Sequence, residues 1–308
     1  MNLNPYIFAT FPAVVFFTLS KSVWLCGAGV VLFVIGILAA KNDIAQAHGL
    51  DKIVVLSNLC FAMPLAVFGT EHFTDAKSIM MLVPSYMPWP LFWTYFVGVG
   101  LLAASFSIAT KIQVRSSGLL FGIMMFSFVA MMDIPGTIAE PRNRIIWALL
   151  CREMSFGSGG WALSASAAHG WGPRAKNALI TIGRVIIGIA AMFYGVEHFL
   201  HPVNALGVPL EKLMPAWIPG RMLIGYLTGA ILLVCGIGIL LPKKTRMAAT
   251  YLGAWIVLLV VLVYGPILIA SLLDPSTAVK VEGINYFFDT LLYAGTILVL
   301  ASASPQEG

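Results

Sequence analysis

The feature that most constrains this chain is a series of long apolar segments that follow one another almost without interruption. A helix needs about 20 mostly apolar residues to cross the hydrocarbon core of a bilayer. Residues 5–20 are also apolar and would form either an interfacial helix or a tenth, short span. The sequence therefore predicts an all-α polytopic membrane helix bundle with about nine transmembrane helices. The nine candidate spans are 23–40, 53–73, 91–110, 118–137, 145–166, 178–199, 221–241, 247–271 and 284–303.

The charge content supports this class and excludes others. Only 10% of the residues are charged and 59% are hydrophobic, whereas a soluble globular domain has roughly 25% charged residues. The net charge of +5 is typical of basic loops that face anionic lipid, and it does not indicate a nucleic-acid partner. We therefore expect membrane lipids to be the chain's main surroundings.

Two short motifs each occur twice. The letters FGTEHF at 68–73 match YGVEHF at 194–199, an offset of 126 positions, and PSYMP at 84–88 matches PAWIP at 215–219, an offset of 131. The motifs keep their order in both copies, so the pattern indicates a tandem duplication.

The spans then divide into an N-terminal helical segment, 1–45, and two four-helix units, 46–170 and 171–308. Because four is an even number, both units enter the membrane from the same side, which makes them parallel repeats. Basic loop residues are more numerous on the side that holds Lys41 and Lys111 than on the side of the repeated motifs. This bias predicts that the motifs face outward, with the bacterial inner (plasma) membrane as the expected location.

The repeated motif carries the first candidate site residues, Glu71 with His72 and Glu197 with His198, and His201 adds a base in the second copy. Three interpretations stay open. The residues could bond the adjacent loop without any chemistry, or they could carry protons or orient a ligand, since histidine titrates near neutrality. They could also hold a metal, but the first copy lacks a second histidine, and we predict no metal site.

Acidic residues inside the spans are the second set of candidates, because ionisable groups in the bilayer core are costly and usually functional. Glu153 lies near the middle of one span, and an offset of 136 pairs it with Asp289. Asp133 aligns with Tyr264 near the outward end of the third helix of each unit. We expect each unit to gather a Glu-His pair, the acid of its fourth helix, and either Asp133 or Tyr264.

The motif [FY]-G-x-E-H-F, followed by P-x-[YW]-[MI]-P, resembles the DoxX-like membrane proteins over about 250 of the 308 residues. The resemblance implies a four-helix bundle unit. Some relatives are named for membrane subunits of a thiosulfate:quinone oxidoreductase, and others associate with redox or stress-response partners. The resemblance leaves the cofactor open but is compatible with a quinone, with a soluble or membrane redox partner, and with at most a subunit role in an enzyme.

Three functional hypotheses follow. The first is a quinone-type site, in which either Glu-His pair donates protons and Tyr86 or Trp217 lines an apolar slot. The second is a transporter or lipid-handling protein, in which Glu153 and Asp289 are the coupling or substrate acids. The third is a non-catalytic scaffold whose extra helix docks a partner, and an oligomer is compatible with all three.

Overall fold

The computed structural model describes residues 20–168, 170–204 and 213–305, and this part of the chain is almost entirely helical. Its one extended feature is an isolated bridge between Asn204 and Leu213. Residues 5–19, where a tenth span was predicted, lie outside the described residues. The long helices are α1 (Lys21–Gln46), α2 (Ser57–Thr74), α3 (Pro90–Ala109), α4 (Val114–Ala139), α5 (Arg144–Ser166), α6 (Pro173–Leu200), α7 (Arg221–Leu240), α8 (Thr245–Leu273) and α9 (Thr277–Ala303).

Seven of these helices, all except α2 and α5, are long and apolar enough to cross a membrane, so the chain is an integral membrane protein. Helix α2 has only 18 residues and ends with the polar Glu71 and His72. Helix α5 contains Arg144, Arg152 and Glu153. These two helices are shorter or more polar than the rest, and the prediction of nine spans stays a prediction.

Two long helices are interrupted by a π-helical segment, Val129–Asp133 in α4 and Val260–Tyr264 in α8. A proline follows each segment, at Pro135 and Pro266. Proline has no N–H to donate to the carbonyl four residues earlier, so the regular ladder cannot continue at that point. The helix widens instead, and such widened turns are common at functional sites.

We call helices α2–α5 the first half of the chain and helices α6–α9 the second half. In each half, the first two helices pack closely through paired glycines. A Cβ added to Gly98 in α3 would lie 2.8 Å from the His72 Cβ, and one added to Gly229 in α7 would lie 3.1 Å from the His198 Cβ. The carbonyl oxygen of Gly98 faces Gly69 in the same way as that of Gly229 faces Gly195. The same close approach therefore occurs in both halves of the chain.

The last helix of each half packs against the first helix of the other half, and we call these two helices, α5 and α9, the exchanged helices. Helix α5 packs on α6, and Gly183 of α6 lies against the Ser158 carbonyl oxygen, while α9 packs on α2, with Gly295 against the backbone of Phe61. The two exchanged helices also meet each other, and 83% of the most apolar window of α9 is buried. The centre of the bundle therefore lies along the contact between α5 and α9.

The ends of the bundle differ in composition. We call the end where α2 and α6 finish, with residues 71–73 and 197–199, the motif end. The opposite end, which carries Lys111, Arg115 and Arg246, is the basic end. Helix α1 runs between them on the outside of α2 and α9, with Gly29 against Phe288.

An ion pair fixes α1 at the motif end, where the Lys21 Nζ lies 2.6 Å from the Asp75 Oδ1. The hydrogen bond from Lys21 holds the pKa of Asp75 below its ordinary value. A depressed carboxyl pKa contributes stability above the unfolded-state pKa, and this contribution is lost as the pH falls through the folded-state value.

We therefore expect Lys21→Met to lower the free energy of unfolding by less than about 1 kcal/mol near neutral pH, because the pair is partly exposed. The difference from the wild type should vanish in acid, once Asp75 is protonated. Thermal unfolding in detergent across a pH series measures this, with the exposed Lys77→Met as control. A difference that grew toward acid would contradict the assignment.

Candidate functional site

The central contact between α5 and α9 holds a group of three charged side chains, of which Asp289 is buried and Arg152 and Glu153 are partly buried. Arg152 donates from one terminal nitrogen to the Asp289 Oδ2 at 3.1 Å and from the other to the Glu153 Oε1 at 2.9 Å. Arg152 lies eight residues into α5, about 12 Å from its start. We call Arg152, Glu153 and Asp289 the central triad, and it joins the two halves of the chain.

Arg152 is the residue that the sequence-based site lacked. Its neighbour Glu153 was a candidate, but the sequence gives no sign that Asp289 of the other half reaches the same guanidinium. The available signal was the placement of an arginine beside an acid inside an apolar span, since buried charges require partners.

The π-helical segments place a polar residue on either side of the triad. Asp133, the last residue of the first segment, interacts electrostatically with Arg152 and Glu153. Tyr264, the last residue of the second segment, interacts in the same way with Asp289. The structure thus brings together the acids of the fourth helices with both Asp133 and Tyr264.

Two buried tyrosines complete the surroundings of the triad. The rings of Tyr194 and Tyr293 meet edge to face with centroids 5.7 Å apart, and the Tyr194 hydroxyl donates to the Ala148 carbonyl at 2.5 Å. Within the described residues, the buried Tyr293 hydroxyl, the Arg152 Nε and the Asp133 Oδ2 lack hydrogen-bond partners. Such atoms are uncommon in native proteins, and together they offer donors and an acceptor to a polar ligand.

The two motif glutamates are each bound by the exchanged fourth helix of the other half. Asn285 of α9 donates to the Glu71 Oε1 at 3.0 Å. Arg144 of α5 donates to the Glu197 Oε2 at 3.0 Å, and the His201 Nε2 lies 3.9 Å from the same oxygen. The first glutamate therefore has a neutral partner, and the second has a cationic one.

The two motif histidines point away from these glutamates. The His72 Nδ1 bonds the Phe68 carbonyl oxygen and the His198 Nδ1 bonds the Tyr194 carbonyl oxygen, both at 2.7 Å. A carbonyl only accepts, so Nδ1 carries the hydrogen and the neutral ring leaves Nε2 as an acceptor. His198 is 1% exposed and its Nε2 has no partner among the described residues.

The glutamate and the histidine of each motif bond different partners. Consecutive residues on an α-helix are about 100° apart, so the glutamate and the histidine face different neighbours. Glu71 faces α9, whereas His72 faces α3 of its own half. The motif combines a contact between the halves with a contact inside one half.

The aromatic loop residues lie outside the buried site. Tyr86 is 69% exposed and Trp217 is 57% exposed at the motif end. Their role in lining a ligand slot stays a prediction. The part of the chain that the structure describes holds no group of three or more His, Cys, Asp or Glu side chains that could bind a metal ion.

Comparison of the chain with protein-family models, with curated proteins and with solved structures found no match. The resemblance to the DoxX-like proteins accordingly depends on the two repeated motifs and their order. The functional interpretation depends on the central triad and the motif residues.

Proposed function

We propose that the chain is a tandem duplication of a DoxX-like four-helix unit, with units 46–170 and 171–308 after an N-terminal segment 1–45, and with nine spans. The recurrent glycine contacts support this proposal, because the contact of Gly69 with Gly98 recurs as the contact of Gly195 with Gly229, at the sequence offsets of 126 and 131. The two π-helical segments begin 131 positions apart, at Val129 and Val260, and give independent support.

The contacts of the fourth helices favour an offset of 137, one more than the sequence offset of 136. Gly122 of α4 faces Trp161 of α5, and Gly253 of α8 faces Leu298 of α9. The two glycines are 131 positions apart, whereas Trp161 and Leu298 are 137 positions apart. On this alignment, Arg152 and not Glu153 is the counterpart of Asp289. The triad would then join equivalent positions of the two units across a pseudo-twofold axis.

For function, we propose a membrane subunit with a quinone-type site at the central triad, linked to a soluble or membrane redox partner. The observation that carries this proposal is the buried set of unpartnered polar atoms, the Arg152 Nε and the Tyr293 hydroxyl, beside Glu153 and Asp289. Quinone sites combine an apolar slot with donors to the ring oxygens and nearby proton carriers.

The roles of the chain's own residues follow from this placement. A bound quinone would supply the two-electron acceptor. The Arg152 Nε and the Tyr293 hydroxyl would donate hydrogen bonds that orient its oxygens, and Glu153 and Asp289 would hold and pass the protons. His198, one helical turn from Tyr194 on α6, would exchange protons between the triad and the motif end through its free Nε2.

The test is to purify the protein in mild detergent and to measure quinone in the organic extract by mass spectrometry. We expect co-purified quinone in the wild type, and a decrease of about tenfold or more in Asp289→Asn, because a charged partner of the site is lost. The matched control is Asp51→Asn, which removes the charge from an arginine-paired aspartate at the basic end. Equal quinone in the two variants would contradict the proposal.

The transport hypothesis is favoured by the position of the triad, which joins helices α5 and α9 of the two proposed repeats, because transporters bind substrates and coupling ions at the interface between repeats. Extracts that contain only bulk lipid would count against the quinone site and favour transport. Flux into proteoliposomes should then depend on Glu153. A scaffold role predicts that substitutions of Asp289 and of Glu153 change protein abundance only.

We further propose that the basic end faces the cytoplasm of a bacterial cell and that the motif end faces outward. The support is the excess of lysine and arginine in the loops of the basic end. An outward motif end would place the partly exposed side chains of Arg144 and His201 toward the external medium.

A further inference from the structure

A cavity of about 690 Å³ lies at the basic end of the first half. Its wall comes from the ends of several helices, including the starts of α2 and α4 and the end of α5. The volume is in the range of small-molecule sites, about 300–1,000 Å³. Polar lining residues include Ser57, Asn58, Lys111, Gln113, Arg115 and Ser166.

The charge of this cavity is positive. Lys111 and Asp43 both line it and pair with each other. The Arg115 guanidinium lies 5.9 Å from the centroid of the Trp171 ring, and in the described ranges no carboxylate lies within ion-pair distance of it. The lining therefore holds one cation that its own acidic residue does not neutralise.

The equivalent arginine of the second half is neutralised. Arg246, which follows Arg115 by 131 positions, donates to the Asp51 Oδ1 at 3.0 Å and to the Ala301 carbonyl at 3.2 Å. The residue that follows Asp51 by 126 positions is Asn177, which has no charge. The position equivalent to Asp51 therefore holds no carboxylate that could neutralise Arg115.

Two side chains at the equivalent helix ends of the second half bond backbone carbonyls. Arg184 donates to the Leu240 carbonyl at 2.5 Å, and the Thr245 hydroxyl donates to the Ile239 carbonyl at 3.0 Å. At the same offsets the first half has Asn58 and Val114, which are smaller or apolar. The equivalent helix ends of the two halves therefore differ in the length of one side chain, Asn58 against Arg184, and in one hydroxyl, Val114 against Thr245.

Backbone groups add to the positive lining. Helix α4 starts at Val114 without a side-chain cap, and its N-cap residue Gln113 has a φ of 58°. The first N–H groups of a helix have no partner inside it and carry the positive end of its dipole. Gln113, Val114 and Arg115 all line the cavity, so these groups lie at its wall.

We propose that this cavity binds a phosphate group, carried either by an anionic lipid headgroup or by a soluble phosphate compound. Arg115 supplies a fork of donors that matches phosphate oxygens. Asn58 and the Ser57 hydroxyl supply neutral donors, and the cavity has space for the group that carries the phosphate.

The test is a titration of the full-length protein in detergent with four probes: dihexanoyl phosphatidylglycerol, glycerol phosphate, inorganic phosphate and, as the phosphate-free control, dihexanoylglycerol. Binding is measured by calorimetry.

We expect Arg115→Gln to weaken phosphate binding about tenfold or more. Asn58→Arg, which restores the arginine of the second half, should abolish it by filling the cavity. Lys52→Gln, an exposed charge change at the same end, is the control and should leave binding unchanged.

The outcomes separate the two sources. Binding of the phosphatidylglycerol alone supports a lipid headgroup, whereas equal binding of glycerol phosphate or inorganic phosphate supports a soluble compound. Absence of binding by all three phosphate probes overturns the proposal. So does binding that neither Arg115→Gln nor Asn58→Arg changes. Because Arg115→Gln keeps a polar side chain at a partly exposed position, it tests the site even if Asn58→Arg does not fold.

Discussion

Replacement of Arg152 by leucine is expected to lower the free energy of unfolding by about 3–5 kcal/mol, since it removes one partner of a buried ion pair. Asp289 would remain buried and Glu153 partly buried, with Asp133 nearby and no cation between the carboxylates. Unfolding of the detergent-solubilised protein, followed by tryptophan fluorescence, measures the loss.

The matched control is Arg246→Leu at the basic end. Arg246 also pairs with an aspartate, but Asp51 is 53% exposed, so the expected loss is only about 1–2 kcal/mol. A triple variant with leucine at Arg152, Glu153 and Asp289 should recover much of the loss, because no charge is then left unpaired. Equal losses for Arg152→Leu and Arg246→Leu would show that the triad is not desolvated.

Gly295→Ala should produce the second large effect, a loss of about 2–4 kcal/mol in the free energy of unfolding. The added Cβ would lie 2.5 Å from the Phe61 backbone nitrogen and 2.6 Å from the Cys60 carbonyl carbon. Backbone atoms cannot rotate away as a flexible side chain can, so α9 and α2 must separate. The same unfolding measurement applies.

Gly100→Ala is the control for this substitution. Gly100 lies inside α3, and a Cβ there would meet nothing within 4 Å. Its replacement should leave stability unchanged or raise it by up to about 1 kcal/mol, because alanine favours the helix more than glycine does. If Gly295→Ala changed the free energy of unfolding no more than Gly100→Ala does, the result would contradict the close contact between α9 and α2.

The helices themselves could be predicted from the sequence with fair accuracy. The predicted span 178–199 lies inside α6, and 284–303 lies inside α9, because long apolar runs favour helices of similar length. The helix ends were less accurate, since polar residues such as those at the start of α9 continue the helix beyond the apolar core. The two π-helical segments were not predicted, although each precedes a proline.

The candidate site was only partly predictable, because its geometry depends on which helices cross between the halves. Glu153 and Asp289 could be recognised as acids in apolar spans, but their common partner Arg152 follows from the exchange of α5 and α9. The difference between Asn58 and Arg184 was visible in the sequence. The bond from Arg184 to the Leu240 carbonyl and the cavity beside Asn58 depend on the packing of the helix ends, which the sequence does not show.

The exchanged fourth helices also have a consequence for the order of events during synthesis. Helix α9 emerges from the ribosome after all the other described helices, yet it supplies the partners of Glu71 and of the Phe61 backbone in α2. The first half can therefore insert early but cannot complete its own packing until α9 arrives. During this interval Glu71 would lack Asn285, and Arg152 would have Glu153 but not Asp289 as a partner, which makes the nascent protein a natural substrate for membrane chaperones and quality-control proteases.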